Sequence, residues 1–460
     1  MAKKDFDLGK DSIGGLLAKL AIPAIIAQLV SVMYNILDRM FIGRMPNGEL
    51  AMAGVGVAFP IIMLISAFSG LIGFGGSPLV AIKMGAKDND GAEKLLSNSF
   101  SMLIILSIIL TIVVLVFKVP ILKAFGASEN ILGYANDYIT IYSLGTIFVL
   151  LAFGMNPFIN TQGFAKIGMY TVMIGAGLNI ILDPILIFGL KLGVRGAALA
   201  TVISQGVSTI WVLRFLCSKK STLKIRKRYM FPDIKIVGRI IALGVSPFIM
   251  QATESLVLIS LNTQLMKYGG DLAVSAMTIM SSVMQMITLP IMGLCQGGQP
   301  ISSFNFGAKN FDRVKQNFRL LVTYSLGFTI IMWASLILAP QFFVKIFNSD
   351  PNLIKITSWS MKIYFAGIFI FGAQMACQQT FLALGQAKLS LIMALLRKII
   401  LLIPLIFIMP NLVSDKLQGV LLAEPIADIL AATTTIITFI FFYKKTLSNP
   451  DEVNLKDGKL

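Results

Sequence analysis

The sequence contains no histidine, which removes the most common metal ligand and the most common general base of enzymes. Its three cysteines, Cys217, Cys295 and Cys377, are far apart and odd in number, a pattern typical of neither a metal motif nor a disulfide framework. We interpret them as small apolar packing residues.

Charged residues are also scarce. They make up only 13% of the 460 residues, against 56% hydrophobic residues and a mean hydropathy of +0.82, which excludes an ordinary soluble domain. The net charge is +17, but the basic residues lie in loops between apolar runs, where membrane orientation explains them better than nucleic-acid binding. The lipid bilayer is therefore the expected surrounding.

A membrane-spanning helix needs about 20 apolar residues, so a chain of this length has room for about 12. The sequence predicts an all-α membrane protein whose first apolar run is a transmembrane helix rather than a signal peptide. Helices 1 to 12 are expected near 14–43, 51–82, 95–119, 131–157, 163–190, 194–216, 238–267, 272–304, 317–343, 353–382, 387–410 and 417–443.

The two halves of the chain resemble each other. "GGSPLVAIKMGAK" at 75–87 and "GGQPISSFNFGAK" at 297–309 share two Gly, a Pro and Gly-Ala-Lys, and the same offset aligns Gly145 with Gly367. We predict a six-helix lobe at 1–216, a basic linker at 217–235 and a second six-helix lobe at 236–460. Six is an even number, so the lobes are parallel repeats, a plan that places substrate between them.

Most of the 39 Lys and Arg residues fall on the side of the termini and the linker. This bias predicts a multi-pass protein of the cell membrane with both termini and the linker in the cytoplasm. The basic linker can also be interpreted as an anionic-lipid site, although topology alone explains its charge.

Three helices of the first half carry polar stripes at helical spacing, which a bilayer cannot hydrate, so we expect them to converge inside the lobe. The stripes are Gln28, Ser31, Asn35 and Asp38 in helix 1, Thr171, Gly175, Asn179 and Asp183 in helix 5, and Thr201 and Gln205 in helix 6.

Asp38 and Asp183 are the expected partners at this convergence. A carboxylate at the bilayer centre costs roughly 3 kcal/mol even on the gentlest insertion scale, and two close together favour binding of H+ or Na+. Pro184 should add a bend and a free carbonyl, because it cannot donate to Ile180. The alternatives are an exposed ion pair of Asp38 with Arg39 or Arg44, and a structural hydrogen bond for Asp183.

The second half has different polar groups. Aligning Pro184 with Pro404 places Ile399 and Ile403 opposite Asn179 and Asp183, so the cation site should be confined to the first half. The acids and amides of the second half are Gln251, Glu254, Gln374, Gln378, Glu424 and Asp428. We expect Arg397 to form a structural ion pair with one of the acids, because buried charges are usually paired, with a substrate contact as the alternative.

Methionines 277, 280 and 284 have helical spacing in helix 8, and flexible thioethers suit a surface that accepts many shapes. Ordinary core packing is the alternative interpretation. The candidate substrate-contacting residues are Gln28, Asn35, Gln251, Glu254, Met280, Met284 and Gln374.

Several stretches together resemble a known family. Twelve helices in related halves, "MYNILDRMFIG" ending helix 1, "GLNIILDPILIFG" at 177–189 and the following "GAALATVISQ" are similar to the multidrug and toxic compound extrusion (MATE) family in its DinF-like and MepA-like branches. The resemblance covers essentially the whole chain. It implies export of cationic amphipathic compounds in exchange for H+ or Na+, by rocking of the two lobes.

The resemblance also implies a site. Its cation-coupling residues fall on Asp38, Asn179, Asp183 and Thr201, with a backbone oxygen of Ala197, and Na+ would bind among the same four side chains. It implies no cofactor other than the coupling ion, and we expect a monomer. The family's acidic position in helix 7 resembles Glu254.

Two other classes compete with this interpretation. A flippase for lipid-linked precursors would need several inward-facing basic residues, and only Arg397 and Lys398 are strong candidates. A membrane enzyme such as a prenyltransferase would need paired Asp-rich motifs, whereas "DND" at 88–90 looks like a turn. We therefore expect a transporter and no enzyme.

The charge bias generates a test of topology. A reporter that is active only in the cytoplasm, fused after Leu460, should be active, because positively charged segments are retained inside. Activity of a reporter that works only outside the cell would contradict the predicted orientation.

Overall fold

The computed structural model describes residues 7–447, and every regular element in that range is helical. Residues 1–6 and 448–460, which belong to the predicted cytoplasmic termini, lie outside the described residues. The α-helices are Ile13–Gly43, Gly48–Gly85, Asn89–Ala124, Glu129–Leu144, Thr146–Thr161, Ala165–Pro184, Val194–Leu216, Ile234–Ala252, Glu254–Gly307, Phe311–Leu338, Pro340–Phe347, Pro351–Tyr364, Phe371–Ala383, Ala387–Leu395, Ile403–Ile408 and Lys416–Phe442.

These helices form twelve spans. Within the described chain, nine stretches are long and apolar enough to cross a membrane, and eleven when each of two bent helix pairs is one span. One of these stretches, Ile234–Gly307, has 74 residues, far more than the ~20 a bilayer needs. It is interrupted at Gly270, whose φ of 64° is non-helical, so it divides into helix 7 (234–269) and helix 8 (271–307). The predicted all-α fold is confirmed.

The two bent spans are repeats of each other. Helix 4 bends by 58° between Glu129–Leu144 and Thr146–Thr161, and helix 10 bends by 55° after Pro351–Tyr364. The repeated glycines stand at these bends. A Cβ on Gly145 would lie 2.3 Å from Val202, and one on Gly367 would lie 2.8 Å from the Pro425 carbonyl oxygen. The repeated glycines therefore allow each bend to pack closely on the last helix of its own lobe.

Two predicted features differ in the structure. Helix 9 ends at Leu338 instead of continuing to 343, because the residue before Pro340 leaves the helical region and the proline begins a separate short helix. Helix 5 does not break at Pro184 but continues as a π-helix, Ile185–Gly189. The wider π-helical turn changes the hydrogen-bond register where the proline lacks a donor.

Each lobe has its own hydrophobic core. The first core draws mainly on helices 2, 3, 4 and 6. The second lies among helices 7, 8, 10 and 12 and contains Met277 and Met280. Met284 packs against it. The structure thus has two lobes with a core in each, in agreement with the sequence repeat, and a smaller apolar cluster joins helix 1 to the second lobe.

The lobes touch through glycines at one end of the molecule, which we call the closed side. Helix 2 crosses helix 8 where a Cβ on Gly85 would be 1.9 Å from the Phe304 carbonyl oxygen and one on Gly307 1.9 Å from that of Ile82. These two contacts are equivalent, because Gly85 and Gly307 occupy the same position in the two repeated halves. A Cβ on Gly244 of helix 7 would be 1.8 Å from the Leu71 carbonyl oxygen of helix 2.

The repeated Gly-Ala-Lys motif follows from this crossing. Gly permits the backbone approach, and Lys87 and Lys309 then adopt left-handed φ values of 60° and 59° that end the two helices. The amide of Asp88 donates to the Lys83 carbonyl at 2.9 Å, and that of Asn310 donates to the Asn305 carbonyl at 2.8 Å, as in a Schellman motif. Lys87 and Lys309 are exposed on the closed side.

The basic linker is fastened to the first lobe. Arg226 pairs with Glu93 at 2.7 Å, and the Asn98 side chain donates to the Tyr229 carbonyl and accepts from the Asp233 amide. The Lys94 ammonium, 2.9 Å from Asp233, holds the pKa of that linker carboxyl below its usual range. Asp233 also caps helix 7, so the linker joins the lobes at the closed side.

The glycine crossing generates a test. Gly85→Ala should open the closed side, because its methyl group would overlap a backbone atom that cannot rotate away, at a cost of about 1–3 kcal/mol. Spin labels at Lys87 and Lys309, in a background with the exposed Cys217 replaced by Ser, should report a longer separation.

Gly238→Ala is the matched control. It lies in helix 7 at the same end of the molecule, and a Cβ there would meet nothing within 4 Å. Equal label separations in both variants would show that the glycine crossing does not hold the lobes together.

Candidate functional site

The first lobe brings together the side chains predicted for the cation site. Asp183 is completely buried, and Asn179, one turn earlier on helix 5, donates to it at 3.3 Å and to the Thr201 hydroxyl of helix 6 at 3.5 Å. The Thr201 hydroxyl donates to the Ala197 carbonyl at 3.1 Å. We call Asp38, Asn179, Asp183, Ala197 and Thr201 the acid site.

Asp38 of helix 1 completes the acid site, with its carboxyl group against that of Asp183. Carboxylates only accept hydrogen bonds, so this contact requires a proton or another cation between them. One oxygen each of Asp38, Asn179 and Asp183 is buried without a hydrogen-bonding partner in the described chain. These three oxygens can receive an added cation.

No basic side chain of the described residues forms an ion pair with Asp38 or Asp183. The alternative pairing of Asp38 with Arg39 or Arg44 is not formed, and the Arg39 guanidinium stacks on Phe59 at 4.7 Å. The described residues contain no group of three or more His, Cys, Asp and Glu placed to hold a metal ion. A Na+ at the acid site would therefore depend on two carboxylates plus neutral oxygens, which are the hard ligands such a cation takes.

The polar stripes meet in a cavity beside the acid site. It is small, and its polar lining comes from helices 1, 4, 5 and 6 through Ser31, Tyr34, Asn156, Thr171, Gln205 and Ser208. Asn35, by contrast, is exposed, and its amide donates to the Ser31 carbonyl at 2.8 Å. The predicted convergence is thus seen for Ser31 and Asp38 of helix 1.

Two tyrosines of the site were missed by sequence reasoning. Tyr34 lies close to both Asp38 and Asp183, and the Tyr138 hydroxyl of helix 4 lies close to Thr201. The i to i+4 spacing of Tyr34 and Asp38 is a signal that could have found the first. Tyr138 has no such signal, because an aromatic in an apolar helix looks like core.

The second lobe holds three acids and two bases in paired form. Arg397 of helix 11 contacts Asp428 at 2.8 Å and Glu424 at 3.2 Å, both on helix 12, and stacks over Phe371 at 5.1 Å. The predicted structural ion pair of Arg397 is confirmed and includes both acids. Lys398 pairs with Glu254 of helix 7.

The alignment that placed Ile399 opposite Asn179 does not hold in the folded chain, whereas Ile403 still directly precedes the shared proline as Asp183 does. Helix 11 is π-helical at Leu396–Leu402, before Pro404, whereas helix 5 is π-helical after Pro184. The wider turn shifts the register by one residue, so Lys398 and Leu402 are buried and Ile399 is 41% exposed. The helix 11 counterpart of the acid-site helix therefore presents a base.

The candidate substrate residues separate into two groups. Met280 is 0% exposed and belongs to the core of the second lobe, so the packing interpretation holds for it, and Met284 packs against that core. Gln28 of helix 1 donates to Gln296 of helix 8 at 3.4 Å, and the Gln251 oxygen is 3.7 Å from a Cβ placed on Gly70. Gln28 and Gln251 thus lie where the lobes meet, and Gln374 is buried behind them beside Lys398.

The lobes separate beyond this level. Phe68 and Phe248 pack across the interface with their ring centroids 4.8 Å apart and their planes tilted by 50°, and the closest backbone contacts between the lobes lie between there and the closed side. Further along helices 1 and 7, apolar side chains are exposed, including Met33, Ile36, Leu256 and Ile259. Glu254, one turn past Gln251, has 72% of its side chain exposed at this opening.

The Arg397 cluster generates a stability test. Arg397→Met should lower the free energy of unfolding by about 3–5 kcal/mol, because it leaves Glu424 and Asp428 buried without their partner. Thermal unfolding in detergent measures the change. Arg195→Met, which removes an exposed ion pair with Asp137, should change it little. Equal effects would mean that the buried pairing is not what stabilises the second lobe.

Comparison with known proteins gives concordant matches. The family model MatE matches residues 23–185 and 247–408, one stretch in each lobe. A Multidrug export protein MepA from Staphylococcus haemolyticus is 30% identical over 429 residues, covering 93% of this chain and 94% of its own. A solved structure of the MATE multidrug transporter DinF-BH, determined as a complex, is 34% identical with a TM-score of 0.88, covering 96% and 99% of the two chains.

A further solved structure matches in fold. It is described as the outward-facing conformation of a multidrug resistance MATE family transporter of the MOP superfamily and has a TM-score of 0.88 at 23% identity. It covers 97% of this chain and 98% of its own. The likeness supports the two-lobed arrangement described above.

Proposed function

The chain belongs to the MatE family of multi-pass membrane transporters, and on that premise we propose that it exports cationic amphipathic compounds across the cell membrane in exchange for H+ or Na+. The observation that carries the proposal is the acid site: the buried carboxyl group of Asp183 lies against that of the half-buried Asp38, and neither forms an ion pair with a basic side chain of the described residues. Such a site is stable only when a cation is bound, so its ion occupancy can drive a conformational change.

The arrangement of the lobes supports alternating access. With the predicted topology, the closed side with its linker faces the cytoplasm and the opening faces outward. Binding of H+ or Na+ at the acid site removes negative charge from the lobe wall, and a bound organic cation is held less strongly. The two cations then exclude each other through charge, which is the reciprocal coupling that antiport requires.

The flippase alternative receives less support. A pyrophosphate cargo needs free positive charge, but Arg397 is paired with Glu424 and Asp428, and Lys398 is paired with Glu254. Neither strong basic candidate is available to an anion. The acid site would also repel such a cargo.

The relatives' names support transport of several drugs. MepA is described as a multidrug export protein, and DinF-BH as a multidrug transporter. The acid site adds the preference for positive charge, so export of ethidium, a planar monocation, is a suitable assay for this chain. Liposomes containing the protein, with pH and Na+ gradients imposed separately, would identify the coupling ion.

Asp183→Asn should abolish gradient-driven ethidium export, because it keeps the size and hydrogen bonding of the side chain but removes the charge that binds the coupling ion. Asp38→Asn should give a similar defect. The double variant should be little worse than either single variant, since two residues that act as one unit are not additive. Export rates at matched protein levels measure this.

Asp137→Asn is the control, because it removes a carboxylate of the same lobe that pairs with Arg195 at the surface. It should export at the unaltered rate. Full export by Asp183→Asn would refute the coupling role, and loss of folded protein in that variant would favour the structural hydrogen bond.

A further inference from the structure

The second lobe contains a cation that the transport proposal does not use. The Lys398 side chain is only 9% exposed, and its ammonium pairs with the Glu254 carboxylate and donates to the Met250 carbonyl at 2.7 Å. Glu254, in contrast, reaches the opening between the lobes. Helix 7 therefore offers two oxygens to a cation at the wall of the opening, one from the Glu254 carboxylate and one from the Met250 carbonyl. In this structure the Lys398 ammonium of helix 11 occupies both.

Other acceptors lie behind Glu254. Glu424 Oε2 and Gln374 Oε1 are buried without hydrogen-bonding partners in the described chain. Gln374 and Lys398 line the same small cavity, and the Glu424 carboxylate lies close to the charged groups of both Lys398 and Glu254. Buried acceptors are normally satisfied, so these two oxygens mark an alternative position for an ammonium group.

We propose that Lys398 is a displaceable internal cation: a substrate cation takes its place on Glu254, and the lysine ammonium turns inward to Gln374 Oε1 and Glu424 Oε2. This proposal rests on the proposed export of organic cations and assigns their second contact to Glu254. Each carboxylate stays paired throughout the exchange, which avoids the cost of an unpaired charge in a low-dielectric lobe. Lys398 then sets the affinity, because every substrate must compete with it.

The chemistry predicts a preference. A monocation can replace the lysine on Glu254 by charge alone, whereas an uncharged compound of the same shape cannot. Lys398 would thus balance the negative charge of Glu254 when no cationic substrate is bound and would exclude neutral amphipathic compounds from this contact. This is a selection for charge by competition rather than by shape.

Lys398→Met tests the proposal directly. Removal of the competitor should lower the dissociation constant of ethidium by about tenfold, as expected for an unpaired carboxylate facing a cation, in the detergent-solubilised protein without any gradient. Lys398→Arg, which keeps the positive charge, is the matched control and should bind like the unaltered chain. An uncharged phenanthridine analogue should bind all three proteins equally.

The inward position is tested by Gln374→Leu. If Gln374 receives the displaced ammonium, its loss should weaken ethidium binding in the unaltered chain but not in the Lys398→Met background. If Gln374 contacts the substrate itself, the loss should be the same in both. The second result would overturn the displacement mechanism, as would unchanged or weaker ethidium binding by Lys398→Met.

Glu254→Gln keeps the proposal testable should Lys398→Met fail to fold. It leaves the lysine charge unpaired at the opening, so ethidium affinity should fall about tenfold while binding of the uncharged analogue stays unchanged. Equal ethidium affinity would overturn the proposal. If ethidium binds with the same affinity whether or not Lys398 is present, only this inference is refuted. If ethidium binds neither the unaltered chain nor any variant, the proposed export is refuted as well.

Discussion

The cost of an unpaired charge in the low-dielectric interior governs both lobes of this protein. The second lobe avoids this cost with its own side chains, because Arg397 pairs with Glu424 and Asp428, and Lys398 pairs with Glu254. The first lobe presents Asp38 against Asp183, and no basic side chain of the described chain forms an ion pair with either. One lobe therefore carries its own counter-ions, whereas the described residues of the other form no ion pair with its two acids.

This difference arises within a repeated fold. Both halves bend a helix at an equivalent glycine, and both end helix 2 or helix 8 with Gly-Ala-Lys. Gly85 and Gly307 let the two backbones cross on the axis that relates the halves, so the motif that reveals the repeat is also the contact that closes one side. The repeat is retained where the lobes contact each other and lost where each lobe holds its buried charged residues.

A second asymmetry lies in two π-helices. Helix 5 has its π-helix after Pro184, and helix 11 has its π-helix before Pro404. The proline is shared, but the wider turn falls on opposite sides of it and changes which residues face the interior. Lys398 is buried as a result, and Ile399 faces outward.

The sequence by itself determined the helical membrane fold, the two related halves and the acid site. Apolar runs are countable, the repeat is visible in identical residues, and a carboxylate such as Asp183 in an apolar span is conspicuous because its burial is costly. Tertiary structure decided the rest. The pairing of Lys398 with Glu254, the burial of Met280 and the place of Tyr138 depend on helix rotation and register, which local spacing does not encode. The closed side depends on close backbone approach between helices that are far apart in the chain, a contact that only the packed lobes can define.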